Sequence, residues 1–600
     1  MFQLNYNKAR NIDLGKLKQQ YCEEDQESQE AIQDHNYIPF HIQKLQNYNP
    51  IYSLFFDLNE NNYNKISLNH DNHFIDLKTV FSIKTQTKEW AKVHIKYGPL
   101  LDPIHFLIGK YEKCGTQTQN LPQLTNQPDT IHPKIASITN ATYVDCFFSY
   151  LSSLLLNNPK SKFIHGIDFY GSYLGIQENF RMVITDEFDY LQKSQYFLEN
   201  NHITYDLELP DFIGGALLNS DNSHKNKPKL NISDEDEILS VNDIIDEDNN
   251  ETEIECYSNN DDLQLVFENE NRTQTSNVST SLNGSLKSSY SSDEDSAINY
   301  SSEEEEEENN DEEESGDEDD NTEWSSIDSK EGEDEEDYEE GEIIAYLRNF
   351  PMQMICLEKC DGTMDKLLED GLLKDEELLA ALFQVIMILV TYQKAFWLTH
   401  NDLHTNNIVF KHTEMKHLKY IYEGKEYLVP TYGKIFVIID FGRSIYKFQD
   451  KLFCSDSFQE GGDAHTQYNF EPFYNPNKPI LTPNMSFDLC RLGCSLYDFV
   501  FDDQSETDIR SSKKSWTDVQ KLVAKWCEDD HGKNILYKAS GEERYPQFKL
   551  YKMIARIVHG CTPESQIQYS AFHKFATNIP KKNKSTTVII DIDSIDKYYV

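Results

Sequence analysis

The run His400-Asn401-Asp402-Leu403-His404-Thr405-Asn406-Asn407 is followed downstream by Ile439-Asp440-Phe441-Gly442. Asp402 supplies a carboxylate, Asn407 an amide five positions later, and Asp440 a second carboxylate on a separate segment. Phosphoryl transfer needs such a set, because it depends on positioning and on neutralising charge that spreads over phosphate oxygens. Asp402 is then the candidate base that takes the proton of an attacking hydroxyl. Asn407 and Asp440 offer the hard oxygen atoms that suit Mg²⁺. The plain alternative is a polar loop between a helix and a strand.

Both segments must be held by regular elements, and each follows an apolar run. Strands are expected around Ile51 to Asp57, Val80 to Lys84 and Trp90 to Tyr97, then a helix from about Tyr143 to Leu156 and strands near Phe163 to Tyr173 and Phe180 to Thr185. Pro351 to Glu358 reads as a buried strand, and Glu376 to Leu398 has helical periodicity. A small β-rich half followed by a helical half is an α+β, two-lobe pattern. The apolar stretch Leu379 to Leu398 is interrupted by Gln384, Gln393 and Lys394, which suits a buried helix better than a membrane span.

Charge is concentrated in one place. Residues 231 to 342 carry 43 Asp and Glu against three basic residues, a net of −40 out of −48 for the 600-residue chain. Such a segment cannot bury enough apolar surface to offset chain entropy, and disorder is expected over about 217 to 342. Its charge would suit a basic protein partner, with a solubilising spacer as the alternative, and nucleic acid is not an expected partner. Ser291, Ser292, Ser301, Ser302 and Ser315 stand in acid-rich sequence and are candidate phosphorylation sites. Eleven cysteines without a C-x-x-C pair, and a start at Met-Phe-Gln-Leu-Asn without a charged-then-apolar leader, argue for a reduced intracellular setting. Cys490 and Cys494, one helical turn apart, read as core packing.

The two motifs resemble the H-R-D-L-x-x-x-N and D-F-G signatures of the eukaryotic-type protein-kinase superfamily. Within it, Tyr97-Gly98-Pro99-Leu100-Leu101-Asp102-Pro103 and Gly541-Glu542-Glu543-Arg544-Tyr545-Pro546 are similar to the divergent kinases encoded by large DNA viruses, and Asp402-Leu403-His404 resembles haspin-type loops. The resemblance implies a bilobal fold with ATP and Mg²⁺ in the cleft and a protein hydroxyl as acceptor, acting in the host cytoplasm or with the virion. It divides the chain into an N-terminal extension (1–75), an N-lobe (76–216), the acidic insert (217–342), a last strand and hinge (343–360) and a C-lobe (361–600). Val93-His94-Ile95-Lys96 matches the V-A-I-K element, making Lys96 the candidate for the α/β-phosphates, a solvated surface lysine being the alternative. Asp145 is the candidate partner of Lys96, or else a helix N-terminal carboxylate stabilised by the dipole. Glu358-Lys359-Cys360 falls where a hinge would offer backbone groups to adenine, and Asp488 where an acid braces the catalytic loop from below.

Three features depart from that pattern. No G-x-G-x-x-G precedes Lys96, Asn401 replaces the Arg beside the catalytic Asp, and no A-P-E follows Asp440. Without that Arg, Ser455, Ser457 and Thr466 are expected to be ordinary loop hydroxyls rather than activating phosphorylation sites. The expected activity is a Ser/Thr protein kinase. The alternatives are a pseudokinase or scaffold working through the acidic tract and, on His404 alone, a small-molecule kinase.

Overall fold

The computed structural model describes residues 4, 6–27, 37–125, 129–160, 162–210, 342–501, 515–538, 540–576 and 588–599. The acidic tract lies outside the described residues, apart from residue 342 at its end. The described part is a mixed α+β protein, sheet-rich at first and mainly helical later.

The principal sheet is antiparallel. Its strands are β1 (Ile42–Gln46), β5 (Val93–Pro99), β6 (Phe169–Val183), β7 (Tyr205–Glu208) and β8 (Ile344–Glu358), in the order β1-β6-β8-β5 with β7 also paired to β8. The stretch read as an N-terminal extension thus supplies β1 to this sheet. A separate three-stranded sheet holds β2 (Asn72–Asp76), β3 (Thr79–Ser82) and β4 (Thr87–Trp90).

Two strand expectations need correction. Around Ile51 the chain makes a short 3₁₀ helix, Pro50–Leu54, because Pro50 presets a helical φ and Asn49 accepts a hydrogen bond from the Ile51 N–H. The strands expected near 163–173 and 180–185 meet in one strand, β6, which begins only at Phe169, ends at Val183 and runs through the polar stretch Gln177-Glu178-Asn179. Gln177 is buried there, with its Nε2 donating to the Pro39 carbonyl at 2.8 Å, so a polar residue sits inside the sheet without an orphaned donor.

Helix α1 (Ala141–Asn157) follows β5, and the helical half is built on α2 (Asp375–Phe396). Helix α2 is long and apolar enough to cross a membrane by length and composition, but its side chains are largely buried inside the protein. It ends at Trp397 in the left-handed region (φ 53°) and hands the chain to the His400–Asn407 loop. A hairpin-like pair, β10 (Ile408–His412) with β13 (Lys434–Ile438), carries that loop on one side and the Asp440 segment on the other; β9 (Gly362–Thr363) completes the sheet. Between them lie β11 (His417–Tyr422) and β12 (Lys425–Pro430), and β16 (Val588–Asp591) pairs in parallel with β11. Beyond Asp440 come β14 (Ile445–Phe448), β15 (Lys451–Cys454), α3 (Phe487–Val500), α4 (Asp518–Trp526) and α5 (Phe548–Ile557).

Candidate functional site

Lys96 stands on β5 opposite Ile355 of β8. Its Nζ lies 2.7 Å from Asp145 Oδ2 and 2.8 Å from Asp440 Oδ1, so one ammonium joins a strand, a helix and the downstream loop. Burial pulls the Lys96 pKa down, but the two carboxylates outweigh it and the group is held above its ordinary value. Asp440, with a side chain 47% exposed, is held down at about 2 by Lys96 against the opposing effect of burial. Asp145 is only 4% exposed; burial raises its pKa, and Lys96 pulls against that. Asp145 Oδ1 also accepts the Phe441 N–H at 2.8 Å, which ties the helix directly to the Asp440 segment.

This approach depends on local packing that the sequence displays without announcing. A Cβ at Gly98 would come within 2.3 Å of Thr142 Cγ2, so only glycine lets the first turn of α1 lie against β5. Asn140 caps that turn by accepting from the Thr142 N–H, and its Nδ2 donates to the Leu100 carbonyl. On the other face of α1, Phe148 packs on Phe441 (centroids 4.5 Å apart) and on Tyr446 (4.8 Å). The Tyr446 hydroxyl donates to the Val144 carbonyl.

The His400–Asn407 loop is pinned from below. Asp488, fully buried on α3, accepts from the His400 N–H (3.0 Å) and the Asn401 N–H (2.9 Å), the bracing position expected for it. Asn401 adopts φ 64°, a left-handed conformation that Asn tolerates better than most residues. Its Nδ2 donates to the Thr399 and Arg443 carbonyls, and its Oδ1 accepts from the Tyr468 hydroxyl at 2.8 Å. The residue that replaces Arg in the sequence motif is therefore a buried hydrogen-bonding hub. His400 accepts the Asp402 N–H at Nδ1 and contacts the Ile439 carbonyl through Nε2, which assigns the ring proton to Nε2.

Asp402 and Asn407 share this loop. Asn407 Nδ2 donates to the Asp402 carbonyl (2.9 Å) and to His404 Nε2 (3.0 Å), and the Asn407 carbonyl accepts the Ile439 N–H. Among the described residues none donates to Asn407 Oδ1. The Asp402 carboxylate meets two groups that sequence reasoning missed. The Tyr551 hydroxyl of α5 donates to Oδ1 at 2.8 Å, and Arg443 Nη1 stands 3.5 Å from Oδ2. Arg491 Nε in turn donates to the Tyr551 oxygen at 2.8 Å. Arg443 directly follows the Asp-Phe-Gly triplet and could have been suspected; Tyr551, 149 positions from Asp402, gives no such signal.

A cleft of about 430 Å³ opens beside these groups. Ile167, Leu357, Val409 and Ile438 form apolar walls, and Lys96, Asp145 and Asp440 charge one end. Glu358 and Cys360 line it as expected. The Glu358 N–H is already given to the Asp168 carbonyl, and the Lys359 N–H to Lys92. The Glu358 carboxylate pairs with Lys411 at 3.1 Å and accepts the Asp168 N–H. Glu358 therefore braces the cleft, and its N–H cannot serve a ligand. Asp402 and Asn407 stand outside the wall itself, and no residue of the β2–β4 sheet contributes to the described lining.

No group of three or more His, Cys, Asp or Glu side chains among the described residues could hold a metal ion alone. One half-exposed carboxylate, Asp440, and one amide oxygen, that of Asn407, are the kind of donor set Mg²⁺ uses when substrate phosphates and water complete its shell. Compared with protein-family models and with curated proteins, the sequence matches none.

Proposed function

We propose that this chain is a divergent protein kinase with a bilobal protein-kinase-like fold, transferring the γ-phosphoryl group of ATP to Ser or Thr hydroxyls with Mg²⁺. The observation that carries the reading is the Lys96 ammonium bridging Asp145 and Asp440 beside a cleft of nucleotide size. In this reading Lys96 orients the phosphates, with Asp145 fixing its position. Asp440 and Asn407 hold Mg²⁺, which neutralises charge on the transferring group. Asp402 accepts the proton of the attacking hydroxyl, since each carboxylate oxygen has a second lone pair beyond those facing Tyr551 and Arg443. The cleft lining without residues of 72–90 favours one rival, a pseudokinase or scaffold that binds nucleotide without transfer. Incubation with Mg²⁺, labelled ATP and a mixed set of protein substrates separates them. Asp402→Asn should lower labelling at least about 10²-fold. Equal labelling by the variant would leave only the scaffold.

The kinase should also work without phosphorylation of the segment after Asp440, because a carboxylate of that segment already ties it to the start of α1. Asp456, 5% exposed, accepts the Ala141 N–H at Oδ1 (3.0 Å) and pairs with Lys134 at Oδ2 (2.6 Å). Its own N–H donates to the Thr139 carbonyl. It thereby anchors the start of α1, the helix that presents Asp145. Ser455 is buried and caps a 3₁₀ turn, out of reach of a modifying enzyme in this conformation. Phosphatase treatment should leave the rate unchanged, whereas Asp456→Ala should lower it at least about tenfold, as expected when a positioning contact is lost. A rate that collapses on phosphatase treatment would refute this account.

A further inference from the structure

The chain as a whole is strongly acidic, yet the surface next to Asp402 is basic. Helix α5 contains three cations, Lys549, Lys552 and Arg556, and no acid. They fall at positions i, i+3 and i+7 and so share one side of the helix. Tyr551, whose hydroxyl rests on Asp402, directly precedes Lys552. Arg556 Nη2 donates to the Thr466 carbonyl at 2.9 Å, which places this side of α5 against the segment that follows Asp440.

Lys478, exposed on that same segment, adds its charge to the field at Lys552 and His465. Burial and the neighbouring charges of Arg556 and Lys478 hold the Lys552 pKa down, and burial with Lys478 and Lys552 does the same to His465 against the pull of Glu460. Among the described residues no carboxylate pairs with Lys478, Lys549 or Lys552. Asp463 of the segment is taken by Arg443 at 2.5 Å. Cations left to repel one another beside a reactive carboxylate are a preformed place for an anion.

We propose that this surface selects the substrate: serine or threonine followed by acidic residues, with the acids lying over Lys478, Lys549 and Lys552 while the hydroxyl meets Asp402. The proposal rests on the kinase reading for the transfer step, but not for the binding step. Sequences of this kind occur in the chain itself, as Ser291-Ser292-Asp293-Glu294-Asp295, Ser301-Ser302 before six Glu, and Ser315-Gly316-Asp317-Glu318-Asp319-Asp320. They supply probes.

The test uses the full chain and a labelled peptide copying residues 299 to 308, beside a peptide of equal length with its Glu replaced by Lys and a single-stranded RNA of matching charge. Binding is followed by fluorescence anisotropy, and transfer by mass change of the peptide with Mg²⁺ and ATP. The acidic peptide should bind and the Lys peptide should not. Affinity should fall at least about tenfold in the surface double variant Lys478→Glu/Lys552→Glu, since like charges then face the peptide. It should also fall as salt rises, because exposed charges are screened beyond about 8 Å at 0.15 M ionic strength. Nucleotide binding and the melting temperature of the double variant should match wild type, which excludes misfolding as the cause. Equal binding of both peptides, tighter binding of the RNA, or no effect of the double variant would each overturn the proposal. Binding of the acidic peptide without transfer to any substrate would instead retain the anionic-peptide site and remove the kinase reading.

Discussion

Asp440→Asn should reduce phosphoryl transfer at least about 100-fold, the scale of loss when a charge-neutralising group at the transferring phosphate is removed. Asparagine is the informative replacement. Residue 440 has φ 64°, where Asn is tolerated and Ala is strained, so the change removes charge while leaving the backbone in place. Lys96 would keep Asp145 as its partner, which predicts a folded protein with a melting temperature near that of wild type. The titration of Asp440 gives a second reading. Its folded pKa, about 2, lies below the ordinary 3.8, so its contribution to stability is complete above that ordinary value and is lost only as pH falls through about 2. Any change in transfer between pH 5 and 9 must then come from another group. Single-turnover transfer and thermal melts of the two proteins check both points; undiminished transfer by the variant would remove the proposed metal site.

The largest effect on stability is expected at Asp488. Its carboxylate is fully buried and accepts the main-chain N–H groups of His400 and Asn401. Asp488→Ala leaves both donors in an apolar surrounding, at about 1–3 kcal/mol each, or roughly 2–6 kcal/mol together. Asp488→Asn should cost markedly less, because Oδ1 alone already accepts from both donors, at 3.1 Å and 2.9 Å. Urea unfolding of the three proteins gives the comparison. An alanine variant as stable as wild type would mean that the loop is held by its other contacts, chiefly the Asn401 amide.

What the sequence disclosed follows from how local each contact is. Lys96, Asp145, Asp402, Asn407, Asp440 and Asp488 lie in short segments whose order and spacing carry meaning, and the structure brings Lys96, Asp145 and Asp440 into direct contact. Tyr551 and Asp456 reach the site only through folding, across 149 and 315 positions, and neither is marked by its neighbours. The strand errors have a different origin. Gln177 interrupts an apolar run, and pattern reading cannot know that the Pro39 carbonyl accepts from its amide. Pro50 and Asn49 carried a turn signal that the apolar run from Ile51 obscured. The mixed α+β class was legible because long apolar runs with helical or strand periodicity dominate the described halves.

Strands β7 and β8 pair antiparallel with Glu208 opposite Ile344 and Tyr205 opposite Leu347, so the chain departs after 208 and returns at 344 on adjacent strands. In evolutionary terms this makes the connection a tolerant place for length to be gained or lost. Closing a connection between two fixed ends costs only about 0.6 kcal/mol more for each doubling of its length. Lineages could therefore lengthen, shorten or recompose residues 211–341 while the register that sets Lys96 opposite Ile355, at the other end of the same edge of β8, stays untouched. Selection on the connection and selection on the cleft can then proceed separately, and related chains should differ far more in the former than in the latter.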